Sequence, residues 1–308
     1  MKKNYLLNKY DLSLYFLLIT VFIFCLLNHY IGHSWGDDFS LYLNQAKALL
    51  NGSVERVVSD TVLATTRSSI QTFSPQAYPW GYPILLSPCY YFFNMNINQY
   101  KIVQALYFIS FLGTFFLLIK TRIGNLSGLI VIGLIGLNHT FIFYTNHILT
   151  EIPFMLFSTL SLLAIDKGIK RAQQSIIIQI VIGILLVFTF SIRTEGGVLL
   201  LVLLISQLLD IKNKRKLNSK VKLHFYLIPY FVFFTFYLIG KEYLPTGFTS
   251  HFGFLTNFKI SKSISNLEMI INLLGIFINR NINIVSLIII LSIFVIGVIN
   301  RFKKDLFF

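Results

Sequence analysis

Residues 12–31 read LSLYFLLITVFIFCLLNHYI, and residues 176–192 read IIIQIVIGILLVFTFSI. Neither run contains Asp, Glu, Lys or Arg. Each approaches the roughly 20 residues that an α-helix needs to cross a hydrocarbon core of about 30 Å. Neither leaves a polar face for water, so each is a bilayer span or a deeply buried helix. The rest of the chain repeats the pattern. Of its 308 residues, 55% are hydrophobic and 12% charged, with a mean hydropathy of +0.71. A soluble domain of that length needs far more polar surface. The chain reads as an all-α integral membrane protein.

Working outward from these two runs gives about eight transmembrane helices. They cover about 12–31, 102–119, 123–143, 151–165, 175–192, 198–209, 223–239 and 282–299. The first outer loop runs over about 32–101 and the last over about 240–281. Both outer loops are expected to carry interfacial helices. Phe39–Leu50 is amphipathic and stops at Gly52. Tyr82–Phe93 is apolar but short and interrupted by Pro83 and Pro88, which suits an interfacial or re-entrant piece. Leu267–Ile278 is amphipathic and suits the interface. The first run is longer than a signal-peptide core, and Asn28-His29-Tyr30-Ile31-Gly32-His33 lacks a small-residue cleavage pattern, so it is read as a retained span.

Charge orients the map. Most Lys and Arg fall in the short segments after spans two, four, six and eight and at the amino terminus. The positive-inside rule then puts both termini in the cytoplasm of a plasma or inner-membrane protein. Asp37, Asp38, Glu55, Asp60, Glu151, Glu195, Glu242 and Glu268 fall outside. The net charge of +14 does not indicate a nucleic-acid partner, because the basic residues form no single stripe interleaved with aromatics. Cys25 and Cys89 have neither a disulfide framework nor metal-ligand spacing. There is no phosphate-cradling glycine loop and no His/Cys metal cluster.

Polar groups beside membrane spans are costly to bury, so each needs an account. Four such groups share the outer face. Trp35-Gly36-Asp37-Asp38 puts two adjacent carboxylates after span one, a pair able to act as general base and metal ligand. Tyr78-Pro79-Trp80-Gly81-Tyr82-Pro83 is a rigid aromatic turn, which also serves simply to anchor the next segment at the interface. In Asn146-His147-Ile148-Leu149-Thr150-Glu151, a helix starting near Thr150 would set His147 and Glu151 one turn apart. In Ser191-Ile192-Arg193-Thr194-Glu195-Gly196, Arg193 can either hold a phosphate or pair with Glu195. Asp38, Glu151 and His147 are the candidates for holding a divalent cation. Apart from that ion, no cofactor is expected.

Taken in this order, the four features resemble the bacterial GT-C membrane glycosyltransferases, the protein-mannosyltransferase-like and aminoarabinose-transferase-like enzymes. Asp37-Asp38-Phe39-Ser40-Leu41-Tyr42-Leu43-Asn44-Gln45-Ala46 through Gly52 is similar to the family's acidic pair followed by Tyr, Ala and Gly. Tyr78–Pro83 is similar to its Tyr-Pro-Pro-Gly-Tyr-Pro stretch, with Trp80 in place of the second Pro. Thr150-Glu151-Ile152-Pro153 resembles its Thr-Glu-Pro element with Ile152 inserted, and Arg193-Thr194-Glu195-Gly196 its Arg-x-x-Gly turn. The chain is shorter than usual for that family, as a short or truncated member would be.

The resemblance implies an inverting transferase that moves a sugar from a polyprenyl-phosphate donor to a glycan, lipid or protein acceptor of the cell envelope. It makes Asp37 the general base and has Asp38 and Glu151 orient the acceptor or hold the cation. Arg193 would neutralise the leaving phosphate, and Tyr42 and Tyr82 would line the substrate site. Two other classes compete: a non-catalytic relative that binds a lipid or scaffolds a partner, and a lipid or small-molecule transporter. Transport fits less well, because transporters set ionisable groups at the bilayer midplane and here the acids gather at one face.

Overall fold

The computed structural model of the chain describes residues 9–33, 38–67, 76–170, 175–216 and 223–245. Asp37, the Leu267–Ile278 segment and the eighth expected span lie outside the described residues. All regular secondary structure among the described residues is helical, with no strand. In chain order they form α1 Lys9–Leu27, α2 Phe39–Asn51, α3 Val54–Arg67, α4 Gly81–Phe93, α5 Ile97–Ile123 and α6 Asn125–Gly136. There follow α7 His139–Tyr144, α8 Glu151–Lys170, α9 Ile176–Ile192, a 3-10 turn Thr194–Gly197, α10 Val198–Lys216 and α11 Leu223–Tyr243.

Four helical stretches among the described residues are long and apolar enough to cross a membrane: Tyr10–Leu27, Ile97–Ile123, Glu151–Ile169 and Thr194–Lys214. Asn125–Gly136 and Ile176–Ile192 are apolar but shorter. Large apolar side chains such as Phe16, Ile31, Leu134 and Phe231 stand exposed. On a water-soluble protein such patches would drive association, whereas lipid tails solvate them at no cost.

The expected third span is broken. Its residues divide into α6 and α7, and the side chain of Asn138 accepts a hydrogen bond from Thr140 N at 2.9 Å. That contact satisfies an amide at the start of α7, so the polar residue restarts the helix where uninterrupted apolar sequence would have run through. The polar stretch after Gly52 holds a helix that the sequence alone does not single out: Val54–Arg67 is helical, yet none of its residues is buried. Gly52 does end α2, with φ at 64°, and donates its N–H to Ala48 O.

Two apolar clusters hold the bundle. One joins α1, α5, α6, α7 and α8 around Val21, Phe108, Leu112 and Ile132. The other joins α8, α9, α10 and α11 around Ile182, Leu186 and Leu203. Close approach needs small residues: a Cβ on Gly183 would lie 2.7 Å from Pro229 O on α11, so glycine sets the α9–α11 spacing. Polar pairs add register, with Ser161 Oγ 3.1 Å from Thr189 Oγ1 between α8 and α9. A third cluster, of Phe39, Tyr42, Leu43, Tyr82, Leu86, Tyr100, Ile148 and Ile192, packs α2 and α4 onto one end of the bundle. The site stands on this third cluster.

Candidate functional site

Helix α2 buries Phe39, Tyr42, Leu43 and Ala46, spaced as one face of a helix requires. This face sets Tyr42 against two aromatic partners. Its ring centroid is 4.6 Å from that of Tyr78 and 5.0 Å from that of Tyr82. Gln45, fully buried, fixes the Tyr78 segment at both polar ends of its amide. Its Nε2 donates to Tyr78 O at 3.0 Å, and its Oε1 accepts from Tyr78 N at 3.1 Å.

Asp38 caps the start of α2 with its backbone only. Leu41 N and Tyr42 N donate to Asp38 O, and no side-chain cap bond forms. The exposed carboxylate instead faces the phenols of Tyr42 and Tyr78. Burial first, and then that carboxylate, push both phenols above the ordinary tyrosine value. Tyr82 is wholly buried, which also raises its pKa. All three phenols therefore stay protonated as hydrogen-bond donors across the physiological range.

Helix α4 is seated by contact with the end of α9. A Cβ on Gly81 would come within 2.5 Å of Ile192 N and Ser191 C, both backbone atoms. Trp80 Nε1 donates to Pro245 O at 2.8 Å, which ties the same turn to the end of α11. Within α4, Pro88 cannot donate to Ile84 O, and the Ser87 hydroxyl supplies that bond at 3.0 Å. A short apolar helix with a proline in it is thus kept intact.

Gln104, near the start of α5, links α4 to the segment entering α8. Its Nε2 donates to Tyr82 Oη at 2.6 Å and to Leu149 O at 2.8 Å. Glu151 opens α8, where a carboxylate is favoured by the helix dipole. Arg193, extended at φ −147° and ψ 133° between α9 and the 3-10 turn, reaches across to it. Nη1 of Arg193 donates to Glu151 Oε1 at 2.7 Å and, more weakly, to Thr150 Oγ1 at 3.4 Å. Nη2 donates to Glu195 Oε1 at 3.2 Å. Burial works against the guanidinium charge, but the two carboxylates outweigh it and raise its pKa. Glu151 Oε2 is buried without a hydrogen-bond partner, as is Gln104 Oε1. An unpartnered buried acceptor costs about 1–3 kcal/mol, a cost that a donor from water or a ligand would offset.

The structure thus brings Asp38, Tyr42, Tyr82, Glu151 and Arg193 to one end of the bundle. His147 joins a different group. Its Nδ1 lies 3.1 Å from Phe143 O and its Nε2 3.5 Å from Tyr30 Oη. Its ring meets that of His33 edge-on at 5.5 Å, and His33 Nε2 accepts from Ile148 N at 3.0 Å. Among the described residues no group of three or more His, Cys, Asp or Glu is arranged to hold a metal ion. Asp38, Glu151 and His147 are not gathered as such a group: the imidazole meets Tyr30, His33 and Phe143, and Glu151 meets Arg193.

Sequence reasoning missed Gln45 and Gln104 as positioning groups, and named Tyr78 only as part of the aromatic turn. Gln104 did carry a signal, a lone amide within an apolar run. Beside the site, α2 and α3 enclose a groove of about 820 Å³, lined by Asn44, Lys47, Asn51, Arg56, Asp60 and Thr61 among others. Comparison with protein-family models, with curated proteins and with solved structures finds no match for this chain.

Proposed function

We propose that this chain is an inverting membrane glycosyltransferase using a polyprenyl-phosphate-linked sugar, with its site on the extracytoplasmic side. The observation that carries the reading is the Arg193–Glu151 pair, set at the same bundle end as Asp38 and the Tyr42–Tyr78–Tyr82 cluster. A cation, carboxylates and protonated phenols together suit a sugar phosphate: hydroxyls to bind and an anion to release. In this reading the chain crosses the plasma or inner membrane eight times, with both termini cytoplasmic and interfacial helices in its first and last outer loops.

The chemistry is a single displacement. The acceptor oxygen forms a bond to the anomeric carbon, the carbon–oxygen bond to the lipid phosphate breaks, and the acceptor's proton passes to Asp37. The departing phosphate takes up its negative charge beside Arg193. A preorganised guanidinium stabilises that charge far better in a dry site than in water. Glu151 and Glu195 hold the guanidinium in place until the phosphate competes for it. Tyr42 and Tyr82 line the substrate site, Asp38 orients the acceptor, and the groove between α2 and α3 receives the acceptor's remaining length.

A non-catalytic relative is the second reading. It is favoured by one observation: Glu151 and Glu195 already satisfy Arg193 without any ligand. Glycan and glycolipid profiles of native envelopes separate the two. Wild type is set beside a deletion strain and an Asp37→Asn strain, with membrane expression checked. Loss of the same glycosylated species in both mutants supports the transferase, and the missing sugar names its donor. An unchanged profile in both leaves the non-catalytic relative standing.

A further inference from the structure

The opposite end of the bundle carries a second cavity, of about 410 Å³, between α5, α8 and α10. Arg122 from the last turn of α5 and Asp166 from α8 form one flank, with Arg122 Nη2 donating to Asp166 Oδ1 at 2.9 Å. Asp210, Ser206 and Asn213 from α10 form the other. Lys214 Nζ donates to Asp210 Oδ2 at 2.6 Å, and the Tyr226 hydroxyl donates to the same oxygen. Between these flanks the wall is apolar, built by Leu162, Ile165, Val202 and Leu209. None of these groups serves the site at the Glu151 end, which lies at the far end of α8.

Position and charge define a ligand. Arg122 lies in the last turn of the 27-residue α5, and Asp166 and Asp210 lie near the ends of the apolar stretches Glu151–Ile169 and Thr194–Lys214. The polar flanks therefore stand at headgroup level, and the apolar wall runs toward the hydrocarbon. A guanidinium has five N–H donors, and the contact with Asp166 uses one of them. The cavity thus offers donors to a phosphate on one flank and the Asp210 carboxylate to an ammonium across it. From this geometry we infer a specific site for a zwitterionic phospholipid with a primary-amine headgroup, of the ethanolamine type. Its phosphate meets Arg122, its ammonium meets Asp210, and one acyl chain lies on the Leu162–Val202 wall. A choline headgroup has the same charge but no N–H to donate, and a glycerol headgroup has no cation.

The inference is independent of the transfer reaction. It is tested on the full chain in mixed micelles by native mass spectrometry, after adding equal amounts of phosphatidylethanolamine, phosphatidylcholine and phosphatidylglycerol. One ethanolamine lipid is expected to be retained at least about tenfold over either competitor, the preference that charge-assisted N–H contacts support. Asn213→Trp, at the exposed mouth of the cavity, and Arg122→Gln should each bring retention down to the choline-lipid level. Asn213 takes no part in the Asp210–Lys214–Tyr226 contacts, so its replacement tests the cavity without disturbing them. Equal retention of the three lipids would overturn the inference, as would a preference untouched by both substitutions. Displacement of the lipid by phosphoethanolamine at equal concentration would overturn the lipid assignment, since that molecule cannot use the apolar wall.

Discussion

Arg193 and Glu151, 42 residues apart in the chain, meet at 2.7 Å and join the end of α9 to the start of α8. Both side chains remain substantially solvent-accessible, at 31% and 44%. An ion pair so exposed adds about 1 kcal/mol or less to stability, which makes its substitution a test of function. Under the proposed function, Arg193→Gln should lower sugar transfer by about a hundredfold or more, the loss typical for one charge-stabilising donor, while thermal unfolding in detergent barely moves. Arg193→Lys should recover part of the rate, because it restores charge without the planar fork. A large drop in the melting temperature with Arg193→Gln would make the pair structural.

Gly81 gives a sharper stability prediction. The atoms a Cβ would meet are backbone, so no side chain can swing aside. Gly81→Ala should destabilise by about 1–3 kcal/mol, as overpacking does, and should reduce transfer by displacing Tyr82. Gly240→Ala is the control: it lies in α11 with nothing within 4 Å of a Cβ. It should be neutral or slightly stabilising, since alanine favours helix over glycine by roughly 0.5–1 kcal/mol. Equal behaviour of the two variants in a melting assay would contradict the close contact between α4 and α9.

Gln45 uses both ends of its amide, and each end can be removed separately. Gln45→Glu keeps the shape but places a carboxylate, fully buried, where Tyr78 O needs a donor. Gln45→Met removes both bonds. Each should cost about 1–3 kcal/mol, the range for an orphaned buried partner, and Gln45→Glu should be the worse of the two. Denaturation midpoints read the order directly, and a milder Gln45→Glu would place the amide in contact with water.

The phenols predict an alkaline limit. Tyr42 and Tyr78 are raised from an ordinary value of 10.0, and Tyr82 is raised as well. Above pH 10 the unfolded chain therefore releases protons that the folded chain keeps. Their contribution to stability is complete below that pH and falls as pH rises. Absorbance at the tyrosinate band should show fewer titrating phenols before unfolding than after it. Replacing Tyr42 and Tyr78 by Phe should flatten the loss of stability above pH 10. An identical slope would mean that water reaches these phenols in the folded state.

Topology is open to direct labelling in a background with Cys25 and Cys89 replaced by Ala. A membrane-impermeant thiol reagent added to intact cells should modify Ser53→Cys, and Lys212→Cys only after permeabilisation. Labelling of Lys212→Cys in intact cells would reverse the orientation.

Much of this end of the molecule was legible in the sequence, and the reasons are physical. Apolar runs such as Ile176–Ile192 have one solution in a bilayer, and Gly52 after an amphipathic stretch can stop a helix in few other ways. The break at Asn138 was hidden because one amide in an apolar run is as compatible with an unbroken helix as with a restart. Helix α3 was hidden because none of its residues is buried, so no core face marks it. The gathering of Asp38, Tyr42, Glu151 and Arg193 followed from the order of loops. The roles of Gln45 and Gln104 did not, because a buried amide is defined by partners distant in sequence. The surroundings of His147 were hidden for the same reason: Tyr30, whose hydroxyl it meets, lies 117 residues away in the chain.

The bond from Trp80 to Pro245 spans 165 residues of chain. During synthesis, the turn that presents Tyr78 and Tyr82 emerges long before its anchor exists. Four helices that follow it, α5, α8, α9 and α11, must be in place before that anchor can close. The last fastening of this aromatic turn is therefore a late product of assembly, and a nascent chain halted within α10 would hold the Gln45 and Gln104 contacts while still lacking the Trp80 bond.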